Sequence, residues 1–130
     1  MKVIRSERGW AGHFICANQC RFRRNTLLEC GDVKIVVSTV GLMESPWKEG
    51  DKFYSGPFDE IGHKRYYETM AFHSNQGDTR YHDADVSRQV SFDSPWSISE
   101  VDADDKANDM HEAVVKELTE EMEKGNSLCQ

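Results

Sequence analysis

Three side chains of types that bind zinc lie close together near the start of the chain. His13, Cys16 and Cys20 fall within eight residues, and Cys30 or a distant histidine would have to complete the four ligands of a structural zinc site. The segment around His13 and Cys16 is typical of a short strand, whose side chains alternate between two faces. These two side chains would therefore point apart, and we predict no metal site and no cofactor.

A second group of polar side chains is of a type that carries out acid–base chemistry or binds a divalent cation. His82, Asp83 and Asp85 follow one another closely, and His73 precedes them across a polar turn. Carboxylates and imidazoles move protons and hold cations, but acidic turns of this composition are also common without such a role. The sequence shows no nucleophile elbow and no glycine-rich phosphate loop beside them.

A compact basic stretch with an aromatic residue inside it runs from Arg21 to Asn25. Arginines spaced by an aromatic residue on a strand can contact phosphates and stack a base. The same arginines can instead pair with acidic groups of the protein or protect a sheet edge. The net charge of −7 repels nucleic acid, so the structural interpretation is favoured and direct nucleic-acid binding is not expected.

Length and charge indicate one domain with an acidic side. A chain of 130 residues is typical of one domain, which we expect to cover residues 1–130. Residues 1–82 hold 12 Lys and Arg against 10 Asp and Glu, whereas residues 83–130 hold 4 against 13, which predicts an acidic face in the C-terminal third. With no membrane-spanning apolar run and no secretion signal, we expect a cytoplasmic protein with reduced cysteines.

The elements that must position these groups begin with a hairpin. Residues 26–30 and 33–40 flank Gly31-Asp32, a pair that fits a type II′ turn. The second of these strands is β-branched and apolar on both faces, which predicts a central, buried strand. Residues 66–73 predict another strand, and residues 86–92, which carry a charge in an apolar row, are typical of an edge strand.

Residues 41–62 predict a long flexible loop. They contain four glycines and two prolines and show no periodicity. The loop carries several aromatic residues, and Trp47 and Tyr54 among them are candidate partner-binding residues because exposed aromatic side chains suit a protein contact. The alternative is that these side chains fold back on the core as a lid.

Residues 102–124 predict an amphipathic helix. Apolar residues recur at three- and four-residue spacing, at Ala107, Met110, Val114, Leu118 and Met122. Acidic residues begin the segment and can cap it, and its outer face carries Glu117, Glu120 and Glu121, which we take as candidate partner-binding residues. The predicted fold is therefore α+β, a short antiparallel meander of about five strands packed by one C-terminal helix.

Six segments of the chain form a recognisable set. They are Arg8–Ala17, Phe22–Leu28, Val37–Gly41, Arg65–Phe72, Asp83–Ser87 and Ala107–Val115. Together they resemble small uncharacterised proteins of tailed bacteriophages and prophages, over most of the chain except residues 42–60 and the last residues. The resemblance implies a bacterial host cytoplasm and an accessory role. It carries over no functional residues, because no activity is assigned to such proteins.

Three functions are compatible with these patterns. The first is a phage-encoded protein that binds a host or phage protein with a basic surface, for example as an inhibitor of a host defence or regulatory protein. The second is a small enzyme or nucleotide-binding protein, and the third is a homo-oligomeric phage component that forms a dimer through an edge strand. The second requires a ligand cleft formed by Arg23, Arg24, Tyr66, His73, Asp83 and Asp85.

Overall fold

The structure, a computed structural model, describes residues 2–8, 20–44, 58–74 and 84–125. Its strands are Ile4–Glu7 (β1), Cys20–Cys30 (β2), Val33–Glu44 (β3), Phe58–Asp59 (β4), Tyr67–Ser74 (β5), Ala84–Val90 (β6) and Ser97–Ile98 (β7). The helix α1 runs from Asp104 to Glu123. Within these ranges, no helix has the length and apolar character that crossing a membrane requires.

The strands form an antiparallel sheet in the order β1-β2-β3-β5-β6. The short strand β4 pairs with the end of β3, and β7 pairs with the start of β5. The central strand is β3, which is buried on both faces from Ile35 to Leu42, as its apolar composition predicts. The predicted α+β fold, an antiparallel meander packed by a C-terminal helix, is confirmed.

The hairpin of β2 and β3 turns at the predicted residues. Cys30 pairs with Val33, and Gly31 adopts a φ of 61°, which a type II′ turn requires at its first central position. However, β2 begins at Cys20 rather than at residue 26. The basic stretch is therefore part of a long strand, and its side chains alternate between the two faces of the sheet.

The loop predicted over residues 41–62 is shorter than expected at both ends. At its start β3 continues to Glu44, and at its end β4 is followed by a β-bridge between Gly62 and Arg65. The predicted start of the loop is wrong because Gly41, taken as a loop residue, lies inside β3 beneath the ring of Tyr67. Residues 45–57 and the strand predicted around residues 12–17 lie outside the described residues.

The helix-facing side of the sheet carries two apolar clusters. One joins the strands to the C-terminal half of α1 and consists mainly of Leu28, Ile35, Val37, Ala71, Val90, Val114, Val115, Leu118 and Met122. The other joins them to the start of α1 and consists of Phe22, Leu42, Tyr67, Ala103, Ala107 and Met110. A row of polar side chains lies between the two, at the level of His111.

The start of α1 is held by a side chain from the sheet. The predicted capping by acidic residues is wrong, because the N-cap is Ala103 and no side chain caps it, while Asp102 takes a φ of 54°. Instead, the backbone N–H of Ala103 donates to the hydroxyl of Tyr67 at 2.8 Å. That hydroxyl donates to Asp104 Oδ1 at 2.7 Å, so Tyr67 fixes the point at which the helix begins.

Candidate functional site

The polar row between the two apolar clusters centres on a buried histidine. Thr26 on β2, Thr39 on β3 and Thr69 on β5 face α1, and His111 of the helix projects between them. Each of the four has at most 1% of its surface exposed. We call these four residues the polar seam.

Both ring nitrogens of His111 have a hydroxyl partner. Nε2 lies 2.7 Å from Thr26 Oγ1, and Nδ1 lies 2.7 Å from Thr39 Oγ1. At one end of the seam, Thr39 Oγ1 lies 2.6 Å from Thr69 Oγ1. At the other end, the hydroxyl of Thr26 donates to Glu7 Oε2 on β1 at 2.7 Å. The seam is thus a continuous hydrogen-bonded chain from the middle of the core to β1.

The carboxylate of Glu7 fixes the direction of this chain. An ionised carboxylate only accepts hydrogen bonds, so the single proton of the Thr26 hydroxyl is committed to Glu7. Nε2 of His111 must therefore carry the hydrogen that it donates to Thr26. Nδ1 is then the unprotonated nitrogen and accepts from Thr39, whose oxygen in turn accepts from Thr69. The geometry thus assigns a neutral imidazole in the Nε2–H form.

The surroundings of His111 favour this neutral form. Burial, and after it the charge of Arg24, lower the pKa of His111 to about 4, although the charges of Glu7 and Glu112 act to raise it. A buried polar ring is costly unless its nitrogens are satisfied. Here both nitrogens are, so the histidine is stable in the core as a neutral group.

The outer end of the seam carries four charged side chains. Arg5 on β1 makes a bidentate contact with Glu112 on α1, with nitrogen–oxygen distances of 2.8 and 2.6 Å, and its Nε lies 3.0 Å from Glu7. Arg24 on β2 also contacts both acids, Glu112 at 2.8 Å and Glu7 at 2.5 Å. We call Arg5, Glu7, Arg24 and Glu112 the charge quartet. Its two positive and two negative charges cancel.

The quartet keeps both of its carboxylates ionised. Hydrogen bonds from Arg5 and Arg24 lower the pKa of Glu112 to about 2 and outweigh the opposing effect of burial. For Glu7, burial acts to raise the pKa, but hydrogen bonds from Thr26, Arg24 and Arg5 outweigh it and the pKa is lowered. The charged state that fixes the direction of the seam is therefore the stable one.

These groups are arranged to hold the fold together. The imidazole of His111 has no exposed surface, so an external substrate cannot reach it in this conformation. The arginines of the quartet already contact carboxylates, so they do not present a net positive site to an anion. Together the seam and the quartet fasten the middle of α1 to β1, β2 and β3.

The outward side of α1 carries a separate set of charges. Asp105, Asp109, Lys116 and Glu120 are exposed and repeat at the spacing of one helix face. We call these four residues the outer face. Lys116 alone among them is positive, so the outer face is acidic. Near the end of the helix, Glu123 is exposed too, but its Oε2 accepts a hydrogen bond from Val3 N at 3.0 Å.

One of the acids predicted to bind a partner is occupied inside the protein. Glu117 accepts hydrogen bonds from the backbone N–H groups of Asp93 and Ser94, at 2.7 and 2.9 Å, and from the Ser94 hydroxyl at 2.6 Å. Burial acts to raise its pKa, but these bonds outweigh it and the pKa is lowered. Glu117 therefore fixes the segment after β6 and is not part of the outer face.

The other predicted partner-binding residues differ in their surroundings. Glu120 is exposed on the outer face, and Glu121 is half-buried beside it. Trp47 and Tyr54 lie outside the described residues. Among the predicted partner-binding residues that the structure describes, Glu120 is therefore the one best placed to contact another molecule.

The described members of the predicted ligand cleft do not share a pocket. Arg23 and Arg24 are neighbours on β2 and point to opposite faces of the sheet, where Arg24 joins the charge quartet. Tyr66 precedes β5 and packs against the apolar cluster at the start of α1, whereas His73 lies near the other end of β5. Asp83 lies outside the described residues.

His73 and Asp85 are the two cleft residues that influence each other. Burial lowers the pKa of His73, the charge of Arg88 adds to this effect, and Asp85 opposes it. Hydrogen bonds from the hydroxyl and backbone N–H of Ser87 lower the pKa of Asp85. These residues form a small polar group at the β5–β6 edge, away from Arg24 and Tyr66.

The two described cysteines of the candidate zinc site lie far apart. Cys20 and Cys30 are buried at opposite ends of β2, and His13 and Cys16 lie outside the described residues. Over the described ranges there is no group of three or more His, Cys, Asp or Glu side chains arranged to hold a metal ion.

Sequence reasoning did not identify the polar seam. It assigned no functional role to His111 or to Thr26, Thr39, Thr69, Glu7 and Glu112. The available signal was a threonine in the middle of each apolar strand together with a histidine inside an apolar helix stripe. Because threonine is common in strands, that signal becomes specific only when the register of the strands is known.

Comparison with protein-family models, with curated proteins and with solved structures finds no match for this chain.

Proposed function

We propose that this protein acts by binding another protein, through the acidic outer face of α1 and a basic surface on the partner. The observation that carries the proposal is the exposure of Asp105, Asp109 and Glu120 on α1. Other acids of this helix, such as Glu112 and Glu117, are used by the fold. Exposed charges that the fold does not need are the ones that steer association with a partner of opposite charge.

The way α1 is attached supports a binding role. The charge quartet holds one side of the helix, the hydrogen bonds of Glu117 hold the other side, and apolar clusters lie beneath it. A surface that is already rigid loses little conformational entropy when a partner binds. The outer face is therefore presented on a preorganised element rather than on a loop.

The resemblance to phage proteins suggests which class of partner this protein would bind. The partner would be a host or phage protein with a basic, nucleic-acid-binding surface. By binding it, this protein would inhibit a host defence or regulatory protein in the bacterial cytoplasm. An enzymatic or nucleotide-binding role receives less support, because Arg23, Arg24, Tyr66 and His73 do not converge in the described structure.

The test is capture of a partner from bacterial lysate with a pair of charge-matched variants. Asp109→Asn/Glu120→Gln removes two negative charges from the outer face. Gln89→Lys/Ser91→Lys changes the net charge equally at exposed positions just before and just after Val90, the last residue of β6. We expect a salt-sensitive partner that is retained by wild type and by the β6 variant and reduced by the α1 variant. Equal capture by all three proteins would contradict the proposal.

A further inference from the structure

The direction of the polar seam leaves no place for a second proton on His111. Nε2–H already donates to Thr26, whose own proton is held by Glu7. Protonation of Nδ1 would present a donor to Thr39, which now donates to that nitrogen. Thr39 would have to turn its hydrogen toward Thr69, and the Thr69 hydroxyl would have to find another acceptor.

The charged groups around His111 do not relieve this conflict. From β1 it is faced by Arg5 and Glu7, from β2 by Arg24, and from α1 by Glu112. The two acids already bind the two arginines, so they are not available to neutralise an imidazolium. From β3 and β5 the facing groups are the neutral hydroxyls of Thr39 and Thr69.

We propose that the polar seam is an acid-sensitive lock, in which proton uptake by His111 releases the middle of α1 from β1, β2 and β3. The apolar cluster beneath the C-terminal half of α1 contains no titratable group among its buried members other than the thiol of Cys30. That half of the helix therefore keeps its packing when the seam opens. The cluster beneath the start of α1 contains no His, Asp or Glu either. The lock therefore acts on the middle of α1 and on β1, which is joined to the helix through the charge quartet.

The sign of the pH effect follows from the two states of His111. In the folded protein the pKa is about 4, whereas in an opened or unfolded chain it is near 6.5. The open state therefore binds more protons between these values, and the closed state loses stability as the pH falls from about 6.5 to 4. Over this range the histidine alone increases the opening constant by roughly a hundredfold.

The experiment compares wild type with His111→Gln, which has no titratable ring, and with His63→Gln, which removes an exposed histidine. Unfolding in urea is measured between pH 7 and pH 4. We expect wild type and His63→Gln to lose stability in parallel. Between pH 7 and pH 4, the unfolding constant of His111→Gln should rise by about a hundredfold less than that of wild type. Equal pH dependence of all three proteins would overturn the proposal.

A measurement on the wild-type protein decides the matter if His111→Gln does not fold. Nitrogen NMR of the imidazole ring reports its tautomer and its pKa, and amide hydrogen exchange reports where the protein opens. We expect an Nε2–H ring that stays neutral below pH 5. We also expect exchange, corrected for its intrinsic pH dependence, to accelerate in the middle of α1 and in β1 before β3. An imidazole that titrates near 6.5, or uniform acceleration of exchange, would overturn the lock.

Discussion

Glu112 and Glu117 on α1 bind opposite edges of the sheet. Glu112 contacts Arg5 on the edge strand β1, and Glu117 accepts hydrogen bonds from Asp93 and Ser94, just beyond the other edge strand, β6. These two acids thus hold the helix across the whole width of the sheet. The sequence does not distinguish them from Glu120, which is exposed on the outer face and does not hold the helix to the sheet.

This difference predicts unequal effects of removing Glu117 and Glu120. Glu117→Ala leaves two backbone N–H groups and the Ser94 hydroxyl without their acceptor, and it should lower the free energy of unfolding by about 1–2 kcal/mol. Glu120→Ala is the matched control on the same helix, with the same change in helix propensity, and should be nearly neutral. Urea unfolding measures both, and equal losses would show that Glu117 does not hold the segment after β6.

The hydroxyl of Tyr67 should matter for the start of α1. Tyr67→Phe keeps the ring but removes the acceptor for Ala103 N–H and the donor to Asp104. We expect a loss of about 1–2 kcal/mol in the free energy of unfolding, because a buried N–H is left unsatisfied. Tyr66→Phe, at the half-buried neighbouring position, is the control. A loss as large for Tyr66→Phe would argue that ring packing, and not the hydroxyl, is being measured.

Gly41 is required because the ring of Tyr67 lies against it. A Cβ atom at this position would lie 2.2 Å from Tyr67 Cδ2 and 2.9 Å from the backbone oxygen of Tyr66. Gly41→Ala should therefore cost about 1–3 kcal/mol or more through overpacking. Gly62→Ala is the control, since its Cβ meets the movable guanidinium of Arg65. Chemical unfolding measures the stability that each variant loses. A smaller loss for Gly41→Ala than for Gly62→Ala would contradict this prediction.

The position of Thr39 between His111 and Thr69 predicts that Thr39 is harder to replace than Thr69. Thr39→Val leaves Nδ1 of His111 without a donor and the Thr69 hydroxyl without an acceptor, at about 1–3 kcal/mol for each group. Thr69→Val removes only one donor to Thr39 and should cost less. The two free energies of unfolding test this order. If Thr69→Val proved the more harmful, Thr39 would not be the residue that links His111 to Thr69.

The sequence predicted the elements that depend on local patterns. The Gly31-Asp32 turn, the buried central strand, the edge position of β6 and the C-terminal helix all follow from periodicity and turn chemistry. The limits of the loop after β3 were wrong, because a glycine inside a strand looks like a turn signal until its cross-strand neighbour is known.

The site was harder to predict because it depends on register. Arg24 and Thr39 are direct partners across β2 and β3, and Thr39 and Thr69 are partners across β3 and β5. No local pattern in the sequence aligns these residues. The described members of the predicted ligand cleft do not converge, and for Arg23 and Arg24 the reason is local, because adjacent residues of one strand lie on opposite faces.

The most direct test of the binding role is the affinity for the captured partner, measured by calorimetry at several salt concentrations. The comparison is between wild type, Asp109→Asn/Glu120→Gln and the charge-matched Gln89→Lys/Ser91→Lys. Exposed charge pairs contribute up to about 1 kcal/mol each, so removing two acids should weaken binding roughly tenfold. The difference should shrink as salt screens the charges. Unchanged affinity of the α1 variant, or equal weakening in both variants, would contradict a binding surface on the outer face of α1.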